Sequence, residues 1–94
     1  MVIYINKYNL KPGCLDQMIK ELKECGAGDI FRAQPGCVMF SYSVDVEEPD
    51  VLYLTDVWEN EAAFQGHLKC PGIPLWHEVR DKYVIGKDSR RYDA

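Results

Sequence analysis

The chain begins with an alternation of apolar and polar positions that predicts a β-strand over residues 2–8. The run VIYINKYNL is rich in β-branched and aromatic residues, and the KPG sequence that follows is typical of a strand end. Apolar residues then recur at intervals of three and four, the spacing of an amphipathic helix. This stripe consists of Leu15, Met18, Ile19, Leu22 and Cys25. We expect the helix to end at Gly26 and Gly28, with DIFRA adding one more turn.

Two further β-rich runs, CVMFSYSVDV and VLYLTDVWE, flank the acidic turn EEPD and predict an antiparallel hairpin. Asn60 is placed to cap a second helix, which the CPG sequence at residues 70–72 ends. A third helix is predicted from near Pro74 to about Tyr83, since proline is tolerated in a first helical turn. The final SRRYDA is too short for more than a terminal edge strand.

The order β-α-β-β-α-α-β predicts a single α+β domain over residues 1–94. It is the ferredoxin-like arrangement, a four-stranded antiparallel sheet with helices on one face. In strand two, Val38, Phe40, Tyr42 and Val44 are expected on one face and Cys37 and Met39 on the other. In strand three, Leu52 and Leu54 oppose Val51, Tyr53 and Val57, so both faces of the sheet are apolar.

Short helices can cover only one of these faces. The other would leave an exposed apolar patch larger than a monomer usually tolerates. We therefore predict a homodimer in which two sheets pack face to face, with the segment around Tyr92 as a candidate to pair with the partner's sheet.

Charge and composition exclude several functional classes. Eleven Lys and Arg against fifteen Asp and Glu give a net charge of −4, and the cations are scattered, which argues against a nucleic-acid partner. The first apolar run is interrupted at Asn6 and is too short for a signal peptide. No apolar stretch of the chain is long enough for a membrane span. The four cysteines form no CxxC pair and are typical of small buried hydrophobes in a reducing compartment. We expect a cytoplasmic protein with no membrane partner.

The candidate chemistry centres on two histidines. His67 shares the apolar face of the second helix with Ala63, Phe64 and Leu68, so it is either a hydrogen-bonded structural residue or an inward-facing proton acceptor. His77 lies off the main apolar stripe of the third helix, which consists of Leu75, Trp76, Val79 and Tyr83. It faces either a pocket or water.

Three stretches carry a resemblance to a known family: KPG after strand one, QPGCVMFSYSV leading into strand two, and TDVWENEAAFQGHLKCPG over strand three and the second helix. They resemble the antibiotic biosynthesis monooxygenase (ABM) family of dimeric α/β barrels, whose W-x-x-x-x-A-F-x-x-H-L pattern the last stretch matches. The resemblance implies that fold and a dimer. Members include cofactor-free oxygenases of quinols and polyketide aromatics, haem-degrading enzymes and proteins with no known substrate.

The first functional hypothesis is a cofactor-independent monooxygenase that oxidises a small quinol or related aromatic with O2. His67 is the predicted base, and Asn6 and Trp58 complete the catalytic group, Trp58 being either a wall of the substrate slot or plain core. The predicted substrate-binding residues are Tyr4, Tyr8, Phe64, Trp76 and His77. The polyketide-oxidising members have an asparagine and a tyrosine where this chain has Leu54 and Phe64, so a simpler quinol is favoured.

The alternative hypotheses are a haem enzyme and a non-catalytic dimer that binds a small apolar ligand. Asn6 stands seven residues before Gly13, as does an asparagine in the haem-degrading branch. His77 resembles that branch's axial ligand, but His67, ten residues earlier, replaces the tryptophan that distorts the macrocycle. The first hypothesis therefore needs no cofactor. The alternative cofactor is haem, with His77 as the ligand of its iron.

Overall fold

A computed structural model describes residues 1–94 as four strands and four helices in the order βααββααβ. The strands are β1 (Val2–Leu10), β2 (Cys37–Val44), β3 (Val51–Trp58) and β4 (Val84–Asp93). The helices are α1 (Leu15–Cys25), α2 (Ala27–Arg32), α3 (Glu61–Leu68) and α4 (Gly72–Tyr83). All strand pairs are antiparallel, in the order β2-β3-β1-β4. The predicted ferredoxin-like α+β fold is confirmed. None of the helices is both long and apolar enough to span a membrane.

The strand β1 lies in the centre of the sheet and organises the site. It pairs with β3 on one side and β4 on the other, so that Asn6 is opposite Leu54 and Ser89. It is two residues longer than predicted and ends at Leu10, whose backbone N–H donates to the carbonyl of Asp50 at 2.8 Å. The KPG sequence then breaks the strand as expected.

The last strand is the largest departure from the prediction. β4 is ten residues long, whereas only the final SRRYDA was expected to be extended. Its sequence is polar, with little apolar alternation to indicate a strand, and β1 supplies the backbone partners that hold it. Tyr92 pairs with Ile3 of its own chain, and β4 is an edge strand, so pairing of its outer edge with a partner's sheet stays a prediction.

The helices follow the predicted order with shifted boundaries. Gly26 has a φ of 72°, which ends α1 in the left-handed conformation that glycine adopts readily, and DIFRA lies in the separate helix α2. The Asn60 side chain caps α3 by accepting a hydrogen bond from the Ala63 N–H at 2.9 Å, as predicted. Helix α4 begins at Gly72 rather than near Pro74, and a Cβ there would lie 2.6 Å from the Phe31 ring, so glycine permits close packing of α4 on α2.

The core lies between the helices and one face of the sheet. The sheet contributes Tyr8, Leu10, Phe40, Leu52 and Leu54, and the helices contribute Met18, Leu22, Phe31, Trp76 and Val79. One alternation prediction is wrong: the pairing of β2 with β3 shifts between Cys37 and Met39, and Cys37 packs against the core instead of pointing away with Met39. A β-bulge inserts one residue and reverses the alternation beyond it.

The opposite face of the sheet has no helix on it. Cross-strand pairing groups Ile3 with Val57 and Tyr92, and Val57 with Met39, on this open face. Ile5 is 38% exposed, Met39 43% and Tyr92 51%, so several large apolar side chains face outward.

Candidate functional site

A cavity of about 230 Å³ lies between the covered face of the sheet and helices α3 and α4. Seven of the eight predicted site residues line it: Tyr4, Asn6, Tyr8, Phe64, His67, Trp76 and His77. Both histidines and Asn6 therefore face one cavity, although they come from three different elements. A second cavity, of about 260 Å³ between α1 and β2, has a mostly apolar lining without a histidine or carboxylate.

Trp58 is the predicted site residue that does not line the cavity. It is the last residue of β3, its side chain is fully buried, and it lies behind His67. Of the two alternatives for Trp58, the structure supports plain core rather than a wall of the substrate slot. The side chain points into the core on the same face as Leu54, where α3 covers it.

Aromatic rings form much of the cavity wall. Tyr4 and Phe64 stack with ring centroids 4.7 Å apart, and Tyr8 meets Trp76 edge-on at 5.3 Å. Burial raises the pKa of the Tyr8 phenol to about 12, so this hydroxyl stays protonated at neutral pH. These walls suit a flat apolar molecule, such as an aromatic ring.

The amide of Asn6 is held by hydrogen bonds on both of its atoms. The Ser89 hydroxyl donates to Asn6 Oδ1 at 2.6 Å. Asn6 Nδ2 donates to the Leu54 carbonyl at 3.2 Å and to Asp56 Oδ1 at 3.4 Å. These partners fix the orientation of the amide and join β1, β3 and β4 beside the cavity.

Asp56 is a buried carboxylate that was not among the predicted site residues. Only 3% of the residue is exposed, and Oδ2 accepts a hydrogen bond from the Trp58 indole N–H at 2.7 Å. Burial raises the pKa of Asp56 above its ordinary value, while the hydrogen bonds from Trp58 and Asn6 oppose the rise. A sequence signal existed, because Leu54, Asp56 and Trp58 share one face of β3 by alternation, which places a carboxylate among core residues.

His67 lies beside this carboxylate, with Nε2 4.0 Å from Asp56 Oδ2, beyond hydrogen-bond distance. Nδ1 is buried and has no hydrogen-bond partner within the chain. Burial lowers the pKa of His67 to about 4, so the imidazole is neutral at neutral pH and is not ion-paired with Asp56. The site thus holds an unengaged proton acceptor next to a buried carboxylate.

Positive groups occupy the solvent side of the cavity. Arg80 and His77, both on α4, are partly exposed, and Lys87 on β4 is exposed. The pKa of His77 is lowered by partial burial and by the nearby charges of Arg80 and Lys87. His77 therefore faces the cavity rather than only water. Arg80, Lys87 and Ser89 gave no recognisable signal in the sequence, since their approach depends on how α4 and β4 pack.

The family model for antibiotic biosynthesis monooxygenases matches residues 1–79. The chain belongs to the antibiotic biosynthesis monooxygenase family. Membership supports a general monooxygenase-like role, and the matched residues include all of the predicted site residues.

Solved structures with the same fold include family members from two bacteria. A structure from Nitrosomonas europaea assigned to this family is 12% identical with a TM-score of 0.88, covering 100% of this chain and 98% of that one. One from Deinococcus radiodurans is 22% identical with a TM-score of 0.84, covering 100% and 92%. At these identities the likeness establishes the fold.

A curated relative also matches part of the chain. It is an uncharacterized protein of Synechocystis sp., 33% identical over 51 residues. The match spans 54% of this chain but only a third of that protein's length (33%), so it adds no information on activity.

Proposed function

We propose that this protein is a cofactor-independent monooxygenase that oxidises a small quinol with O2 in the cavity beneath α3 and α4. One observation carries the proposal: the neutral imidazole of His67 and the buried carboxylate of Asp56 lie 4.0 Å apart in the lining of a cavity with aromatic walls. Such a pair is suited to remove a proton from a phenolic hydroxyl.

The volume of the cavity favours a single-ring substrate. A dry cavity of roughly 150 Å³ is enough to bind benzene in another protein, so a cavity of about 230 Å³ admits one ring with small substituents. A fused polyketide would extend beyond it into solvent. Leu54 and Phe64 lack the hydrogen-bonding groups that the polyketide oxidisers have at these positions, which also favours a single-ring substrate.

The proposed reaction begins with proton transfer from the quinol hydroxyl to His67. Protonation creates an imidazolium 4.0 Å from Asp56, and the carboxylate offsets the new charge while Trp58 and Asn6 hold it in place. The resulting phenolate is a better electron donor and reduces O2 directly. One oxygen atom becomes bonded to a ring carbon of the quinone product, and the other leaves as water.

The other predicted site residues have supporting roles in this proposal. Asn6 and Trp58 are positioning residues, because their polar groups donate hydrogen bonds to Asp56. Tyr4, Tyr8, Phe64 and Trp76 enclose the substrate ring and limit the access of water to the reacting atoms.

Haem fits this site poorly. A tetrapyrrole contains four pyrrole rings, so most of it would extend beyond a cavity of about 230 Å³. The Asn6 amide hydrogens, which the haem-degrading branch would need free, are bound to Leu54 and Asp56. A haemin titration tests this: we expect no Soret shift that depends on His77, and a shift abolished by His77→Ala would replace the quinol proposal with haem binding.

The direct test of the proposed function is O2 consumption by the purified protein with a panel of single-ring hydroquinones, corrected for autoxidation. We expect protein-dependent uptake and one 18O atom per product molecule from 18O2. Asp56→Asn should lower the rate by about 100-fold or more, and the exposed control Asp16→Asn should not. Absence of uptake with every hydroquinone would overturn the proposal, and ligand binding without uptake would favour the non-catalytic dimer.

We also propose that two copies associate through the open face of the sheet. That face is apolar at Ile3, Ile5, Met39, Val57 and Tyr92, as described above. The cavity lies on the opposite, helix-covered face, so each protomer keeps a complete site after association.

A further inference from the structure

The solvent side of the cavity is positively charged although the chain as a whole is negative. Arg80 and Lys87 line the cavity, and Asp56 is the only carboxylate among the lining residues. With both imidazoles neutral the lining has a formal charge of +1, against −4 for the whole chain. A cleft whose charge opposes that of its protein concentrates ligands of the opposite sign.

Lys87 has no ionic partner in the fold. It takes part in none of the salt bridges of the chain, and its Nζ lies 5.8 Å from the centroid of the Tyr8 ring in the cavity wall. The ammonium group is therefore held over the cavity and is available to a ligand.

Arg80 is only weakly engaged elsewhere. Its guanidinium pairs with Asp81, the next residue along the helix, at 2.9 Å, and the Asp81 side chain is 67% exposed. Exposed pairs of this kind contribute little and exchange readily for another anion. The charge of Arg80 also opposes the rise in the pKa of Tyr8 and contributes to the lowered pKa of His77, both cavity residues, so it acts on the cavity interior.

The two ends of the cavity differ in chemistry. His67 and Asp56 are buried and accept protons, whereas Lys87 and Arg80 are nearer the solvent and offer only donors. A neutral quinol satisfies the first end and leaves the second without a partner.

We propose that the substrate is a single-ring quinol bearing a carboxylate, with the carboxylate bound by Lys87 and Arg80 and a ring hydroxyl directed toward His67. This inference rests on the proposed function and specifies its substrate class. The same cations stabilise the phenolate that forms when the ring loses its proton.

The test compares two ligands that differ in charge but not in shape, 2,5-dihydroxybenzoate and 2,5-dihydroxybenzamide. Binding is followed without oxygen by isothermal titration calorimetry. We expect the carboxylate to bind about fivefold or more tightly than the amide at low ionic strength, with the preference shrinking in high salt.

Single variants assign the preference to the two cations. Lys87→Gln and Arg80→Gln should each reduce the ratio of the two dissociation constants, while Lys23→Gln, a cation outside this cavity, should leave it unchanged. Equal affinity of the wild type for both ligands would overturn this inference, and so would a preference that survives both substitutions.

Failure of this inference is distinguishable from failure of the proposed function. If the carboxylate is not preferred but neutral hydroquinones still drive O2 uptake, the charge recognition is wrong and the monooxygenase proposal stands. If neither ligand binds and no quinol drives O2 uptake, both are overturned.

Discussion

Trp58 stacks on His67, with ring centroids 4.5 Å apart and an angle of 23° between the ring planes. The same indole donates a hydrogen bond to Asp56, so one buried side chain supports both members of the proposed proton-accepting pair. Trp58 thus influences the site from behind the cavity, without contact with a ligand.

Replacing His67 by phenylalanine should separate stability from activity. Nδ1 has no hydrogen-bond partner, and phenylalanine retains the stacked ring without leaving a buried polar atom unsatisfied. We expect the free energy of unfolding in urea at neutral pH to stay the same or rise by about 1 kcal/mol. The rate of O2 uptake should fall by about 100-fold or more. A loss of more than about 2 kcal/mol would instead assign His67 a structural role.

The Trp58→Phe substitution should cost more stability than Trp76→Phe. Both residues are buried indoles, but Trp58 also donates a 2.7 Å hydrogen bond to the buried Asp56 carboxylate. Its loss leaves Asp56 Oδ2 without that donor, a penalty of about 1–3 kcal/mol beyond the packing loss that both variants share. Chemical denaturation of the two variants checks the difference, and equal losses would contradict the role given to the hydrogen bond.

Stability should decrease in mild acid because of His67. Its pKa is lowered from 6.5 to about 4 in the folded protein, so the unfolded chain binds more protons between these values. The stabilisation is complete above pH 6.5 and is lost as the pH falls toward 4, by up to about 3 kcal/mol.

The matched reference for this pH dependence is His67→Phe. The raised pKa of Asp56 has the opposite effect, since it favours the folded state as that carboxyl becomes protonated. Asp56 is present in both proteins, so its contribution to the pH dependence of stability cancels when the two are compared. Urea denaturation from pH 7.5 to 4.5 should show a smaller acid loss in the variant, and parallel curves would contradict the assignment.

The proposed dimer can be broken at the centre of the open face. Ile5 lies on the central strand β1, and a lysine there would place a charge in the buried interface. We expect the wild type to be dimeric by light scattering at micromolar concentration and Ile5→Lys to be largely monomeric. Val46→Lys, which replaces an apolar residue that is 97% exposed in the β2–β3 turn, is the control and should remain dimeric. A monomeric wild type would refute the proposal.

The elements with strong periodicity were predictable. The stripe of α1, the cap at Asn60 and the alternation of β1, which places Tyr4, Asn6 and Tyr8 on one face, all follow from local spacing. β4 was largely missed, because a polar edge strand has little periodicity of its own and forms where β1 offers backbone partners. Trp58 was correctly placed at a strand end, but the choice between cavity wall and core stayed open, since alternation gives the face of a strand and not what covers it.

What the sequence by itself determined was the fold, the family and seven of the sixteen residues that line the cavity, because hydrophobic spacing and short motifs are local properties. What only the tertiary structure decided was which of these groups meet. The 4.0 Å approach of His67 to Asp56, the engagement of Asn6 by Ser89 and the unpaired Lys87 over Tyr8 all join residues of different elements. Their distances and pKa values depend on packing and burial, which a linear pattern does not contain.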